Sequence, residues 1–114
     1  MLAKLVSSFI GHLKPDRVAE RSSRVLELPA PEKEGGQPLM QALSRRRSDR
    51  TFRTTPLPPQ VLSNLLWAAF GINRPETGDR TAPSALNAQE IDVYAALAGG
   101  LYIYAPKNHT LCLV

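Results

Sequence analysis

"IDVYAALAGGLYIYAPKNHTLCLV", residues 91–114, is where the fold class shows. Apolar residues recur with a period of two through IDVYAAL, LYIYA and TLCLV, the mark of strands. The breaks between them, AGG and PKNH, have turn compositions. Three strands on two short turns make an antiparallel meander. The sequence stops inside the third strand, so Leu111, Cys112, Leu113 and Val114 are expected at a sheet edge. With few helices upstream to cover it, the meander reads as the front part of an α+β domain.

Upstream of the meander, residues 73–90 read as one long irregular stretch, and loops of that length are often functional. Before it, QVLSNLLWAAF carries Leu62, Leu65, Leu66, Ala69 and Phe70 at helical spacing. Pro59 suits the first helical position and Gly71 a stop. Trp67 on this helix reads as core or interface packing. A shorter helix is expected after Pro38, with Leu39, Met40 and Leu43 facing inward and Arg45 to Arg47 at its end, where cations suit the helix dipole. Residues 27–38 hold three prolines and two glycines and read as an extended arm. The division expected is an N-terminal helix and arm over 1–37 and a domain portion over 38–114.

At the start, Leu2, Leu5, Val6, Phe9, Ile10 and Leu13 lie on one helical face. A docking or dimer helix is one reading and a weak export signal the other. The charged residues 14–24 suit a helical continuation. No apolar run approaches the roughly 20 residues of a membrane helix. A single cysteine, Cys112, allows no internal disulfide and suits a reducing compartment, hence a cytoplasmic location. It alternates with Leu111 and Leu113, which suits a buried thiol better than a nucleophile. His12 and His109 are isolated, and His109 in KNHT reads as a turn residue.

The chain of 114 residues carries a net charge of +4, and that excess is local. Residues 45–53 hold five arginines against one aspartate, while the remaining basic and acidic residues cancel. A neutral protein with one basic spot is a poor general binder of nucleic acid, and the few aromatics are not interleaved with the arginines. Arginine forks can hold phosphate or carboxylate through paired hydrogen bonds. The cluster therefore reads either as an anion cradle or as a solvated helix end eased by Asp49. The loop APSALNAQE, residues 82–90, offers Ser84, Asn87 and Gln89 in a proline-braced setting. These can hydrogen-bond the edge of a flat heterocycle, or can serve as ordinary turn caps. An anion site and a heterocycle-edge site in one chain suggest a nucleotide-like cofactor.

RRSDRTF, LSNLLWAAFGINR, RTAPSALNAQEIDVY and GLYIY, in that order, resemble the nitroreductase family of FMN-dependent oxidoreductases over residues 38–114. They look closest to the branch related to SagB-type azoline-oxidising dehydrogenases, since Glu90 and Ile91 stand where many members have proline and an aromatic. The resemblance implies a nitroreductase-like α+β fold. It implies that Arg46, Arg47, Ser48 and Arg50 bind the phosphate and ribityl chain of FMN. It implies that Pro83, Ser84, Ala85 and Asn87, with Gln89 beside them, lie along the isoalloxazine ring. The partners implied are NAD(P)H, a small organic acceptor and a second copy of the chain in a homodimer, with no nucleic acid and no membrane. The family's later glycine-rich segment and C-terminal dimer-wrapping part have no counterpart in this sequence, which fits the front portion of such a domain. No side chain is assigned a catalytic role, because the family's chemistry is the flavin's.

Overall fold

A computed structural model describes residues 24–114. The amphipathic helix read over 1–13 and nearly all of its charged continuation lie outside the described residues. The elements run β1 (Val25–Glu27), α1 (Leu39–Arg45), α2 (Pro59–Phe70), β2 (Ile72–Arg74), β3 (Asp79–Arg80), a 3-10 turn (Ala85–Asn87), β4 (Tyr94–Leu97), β5 (Gly100–Ala105) and β6 (Thr110–Leu113).

The meander forms as expected, with β4, β5 and β6 antiparallel in sequence. Its first strand is shorter than the alternation suggests: only Tyr94–Leu97 of residues 91–97 pairs as strand. The expectation of an open edge at residues 111–114 is corrected. The sheet order is β1-β6-β5-β4, so β6 lies inside the sheet. Val25 pairs with Cys112 and Glu27 with Thr110, and the Leu113 amide donates to the Arg24 carbonyl at 3.0 Å. The proline-rich arm thus begins as a strand that closes the sheet. Pairing between segments so far apart in sequence leaves no local signal.

Alternation puts one set of residues on a common face. Leu26 of β1, Leu111 of β6 and Tyr104 of β5 lie in one cross-strand row; Leu113, Tyr102 and Ala95 form the next. Helix α2 packs on these rows through Leu66 and Leu62, making a core of Leu66, Tyr102, Tyr104 and Leu111. Leu111 is fully buried, and burial of a leucine contributes about 1.5–3 kcal/mol. On the opposite face Ile103 and Cys112, paired in register, are also buried, so the reading of a buried thiol holds.

Helix α2 starts as the prolines dictate, with Pro59 in its first turn and the Leu62 amide bonded to the Pro58 carbonyl at 3.1 Å. Its buried residues are Ser63, Leu66 and Phe70, whereas Leu65 is 57% exposed and Ala69 lies on the open side. The inward stripe is therefore rotated from the expected one, with a serine in it. At the C-terminus the Gly71 amide donates to the Trp67 carbonyl at 2.7 Å. A Cβ at Gly71 would collide with the Trp67 ring and carbonyl, so close approach rather than a left-handed turn calls for glycine here.

Helix α1 departs further from expectation. Leu39, Met40 and Leu43 are 72%, 75% and 55% exposed, and the helix buries nothing among the described residues. Good helix formers start it after Pro38, but no neighbouring element covers its apolar stripe. The stretch 73–90 is also more ordered than read. A hairpin of β2 and β3 turns at Gly78 (φ 73°), with the Gly78 amide bonded to the Arg74 carbonyl at 2.9 Å. Strands of two or three residues are too short to show a period.

Candidate functional site

Three groups of polar side chains stand out. The first is the arginine run at the exit of α1. The Arg46 amide closes the helix on the Ala42 carbonyl at 3.0 Å, and the backbone then turns extended. Residues 45–55 are all exposed. Arg47 lies 3.9 Å from Asp49 in a solvated contact, and the Asp49 carboxylate accepts the Thr51 amide at 2.9 Å. An exposed pair of this kind contributes little to stability. The side chains of Arg46, Arg50 and Arg53 have no hydrogen-bond or ion-pair partner among the described residues. Ser48 is likewise exposed and unengaged.

The second group is the loop after β3. Ser84 Oγ accepts the Gln89 amide at 2.6 Å and lies 3.4 Å from the Glu90 carboxylate. Its hydroxyl braces the loop from within. Gln89 is engaged as well: its Nε2 donates to the Gly78 carbonyl at 3.2 Å and to Asn87 Oδ1 at 3.0 Å. Arg80 Nε donates to Gln89 Oε1 at 3.4 Å. Leu86, Asn87 and Gln89 have φ of 52°, 53° and 49°, a left-handed conformation that non-glycine residues adopt at a cost, with Ala88 right-handed (φ −70°) before Gln89. Pro83 and Ala85 are exposed beside it. The structure thus gathers Ser84, Asn87, Gln89 and Arg80 into one network, with the Asn87 amide nitrogen at its outer end.

Arg80 is absent from the sequence-derived set. Its guanidinium lies 5.3 Å from the centre of the Phe70 ring, and its Nη1 is buried with no hydrogen-bond partner among the described residues. Burial pushes its pKa down, with the Tyr104 hydroxyl opposing. A lone arginine before a loop carries no signal of such a position in sequence.

The third group joins the arm to the core. The Ser63 hydroxyl, fully buried, donates to the Pro29 carbonyl at 2.5 Å. With that hydrogen committed, Ser63 Oγ accepts from His109 Nε2 at 2.7 Å. The bare Nδ1 on the other side of the ring accepts the Tyr104 hydroxyl at 2.8 Å. His109 does sit in a turn (φ 53°), as read, but it is not isolated. Burial lowers its pKa, the Pro29 carbonyl opposes this and Lys33 adds to it, so the ring is kept neutral. Burial raises the Tyr104 pKa against the pull of Arg80. Around this relay Asn64 Oδ1 accepts the Glu32 amide at 2.8 Å, Gln60 donates to the Ala30 carbonyl at 2.8 Å, and Lys33 stands 5.4 Å above the Trp67 ring. The serine hydroxyl is enclosed and already donating to a carbonyl, so the relay fastens the arm and is not set up for nucleophilic attack.

Among the described residues no cluster of histidine, cysteine and carboxylate side chains could hold a metal, and no helix is long and apolar enough to cross a membrane.

A model of the nitroreductase family matches residues 43–113, a span that includes both the arginine run and the loop. A candidate nitroreductase of Methanocaldococcus jannaschii is 33% identical over 79 residues, covering 64% of this chain and 39% of that protein. The crystal structure of a candidate nitroreductase from Ralstonia eutropha superposes with a TM-score of 0.76 at 52% identity, covering 82% of this chain and 44% of that one. The chain spans less than half the length of either relative.

Proposed function

The chain belongs to the nitroreductase family, and from that premise we propose that it binds FMN and serves in an oxidoreductase that moves reducing equivalents from NAD(P)H to a small organic acceptor. The supporting observation is the presence, within residues 43–113, of unengaged arginine side chains on one segment and of an asparagine on a braced loop whose Oδ1 is held by Gln89 and whose amide nitrogen is left as a donor. Such donors fit a ligand with an anionic tail and a carbonyl-bearing ring.

In this reading Arg46 and Arg50 grip the phosphate, with Arg47 and Ser48 beside them on the ribityl chain. Arg47 must leave its loose contact with Asp49, which costs little at such exposure. Pro83 and Ala85 offer an apolar shelf along the ring, and Asn87 offers hydrogen-bond donors at its edge. Ser84 and Gln89 act one step back, by holding the loop in its left-handed course. When bound, FMN supplies the chemistry by accepting a hydride from the nicotinamide and returning two electrons and a proton to the acceptor. The protein's part is position, charge and exclusion of water. A homodimer is the assembly that suits the exposed stripe of Leu39, Met40 and Leu43.

The test is flavin uptake by the purified chain. A yellow protein that releases FMN on denaturation is expected. Replacing Arg46 and Arg50 with alanine should weaken FMN binding by about 1.5–3 kcal/mol each, the loss typical of hydrogen bonds to a charged group. Equal affinity for FMN in the double variant would end this reading.

A further inference from the structure

The loop network has a polarity that its chemistry dictates. A guanidinium can only donate and a backbone carbonyl can only accept. Gln89 lies between one of each: Arg80 Nε faces its Oε1 at 3.4 Å, and the Gly78 carbonyl faces its Nε2 at 3.2 Å. Turning the amide over would set donor against donor on one side and acceptor against acceptor on the other. The orientation of Gln89 is therefore fixed from both ends. Its Nε2 in turn donates to Asn87 Oδ1 at 3.0 Å, which fixes the second amide. What Asn87 has left is its Nδ2, two donors on an exposed residue with no partner among the described residues.

We propose that Arg80 is a positioning residue that, through Gln89, turns the Asn87 amide donors outward, so that the loop selects a ligand whose ring edge presents a carbonyl oxygen. The inference rests on the flavin reading and adds the sense of the hydrogen bond and the residue that sets it. Arg80 is itself held in place, over the Phe70 ring at the end of α2. Ser84 clamps the backbone at the same point, so neither amide swings freely. Lysine could not replace this arginine, since a point charge lacks the planar fork that meets both the Phe70 ring and Gln89.

The experiment measures FMN and riboflavin binding to the full chain by quenching of flavin fluorescence. Riboflavin lacks the phosphate, so an effect shared by both ligands reports on the ring. Asn87→Asp, which offers an acceptor in place of the donors, should weaken both ligands about tenfold or more. Arg80→Met should weaken both about three- to tenfold, and the double variant should be little worse than Asn87→Asp, because the two act on one hydrogen bond. Gln89→Glu separates positioning from folding. It loses the bond to the Gly78 carbonyl but gains an ion pair with Arg80, so its unfolding midpoint should stay close to the parent's, yet it cannot donate to Asn87 and should bind both flavins less well. Unchanged riboflavin affinity in Asn87→Asp, or strictly additive losses in the double variant, would overturn the inference while leaving FMN binding intact. A parent chain that takes up neither flavin would remove the functional reading and this inference with it.

Discussion

His109 Nε2 lies 2.7 Å from the buried hydroxyl of Ser63, a residue from a different element 46 positions earlier. One imidazole thereby ties the β5–β6 turn to α2, and through the serine to the arm at Pro29. Neither residue announces this in sequence: the serine sits in an apolar stripe and the histidine in a turn.

Ser63→Ala should destabilise the chain by about 1–3 kcal/mol, because it leaves the Pro29 carbonyl and His109 Nε2 without their partner in a site that excludes water. Urea unfolding checks this. Flavin affinity should stay within twofold, since Ser63 makes no hydrogen bond to the loop network.

Acid should loosen the same relay. The folded chain holds the His109 pKa below its unfolded value, through burial and Lys33. The folded state therefore binds protons less readily, and stability is full above about pH 6.5 and falls as pH drops toward the folded pKa. Tyr104, which donates to Nδ1, stays protonated throughout this range. Unfolding free energies of the parent and His109→Gln between pH 7.5 and 5 should diverge in slope, with the variant flatter. Equal slopes would dismiss the histidine as the group responsible.

Gly71→Ala should cost about 1–3 kcal/mol, from overpacking against Trp67. The φ of Gly71 is ordinary, so the collision is the whole cause. A changed tryptophan emission maximum would accompany the loss, and an unshifted spectrum with full stability would contradict it.

Leu86→Gly should raise stability by up to about 1 kcal/mol, since leucine pays for a left-handed backbone (φ 52°) with no buried side chain in return. Thermal unfolding decides it. A fall in midpoint would mean that the Leu86 side chain has packing the exposed surface does not suggest.

What could be read in the sequence was local. The turns at AGG and PKNH and the helix Pro59–Phe70 follow from composition and from proline placement, and they stand where expected. On α2 the expected Leu62, Leu66 and Phe70 do turn inward while Leu65 and Ala69 do not, because Leu65 and Leu66 satisfy helical spacing equally well. Only the sheet beneath chooses Leu66, and brings Ser63 in with it. The α1 stripe was misjudged for the opposite reason, an apolar pattern with no described neighbour to bury it. In the loop after β3 the polar residues were visible in the sequence, but not which of them hydrogen-bond one another. Ser84 and Gln89 turn inward and Asn87 outward, because Arg80 and the Gly78 carbonyl hold the ends of the chain of hydrogen bonds. That division depends on a hairpin too short to show in the sequence.

The three residues Val25–Glu27 have a role beyond their size. They occupy one flank of β6, whose other flank belongs to β5. A protease that trims the chain before Leu28, or a variant that unfastens the Pro29 segment, would uncover a row of apolar residues bearing free amides and carbonyls, a template on which further copies could add strand by strand. Loss of the arm would thus exchange a three-residue edge for a longer and more apolar one, and fibril-sensitive dye binding should rise after limited proteolysis.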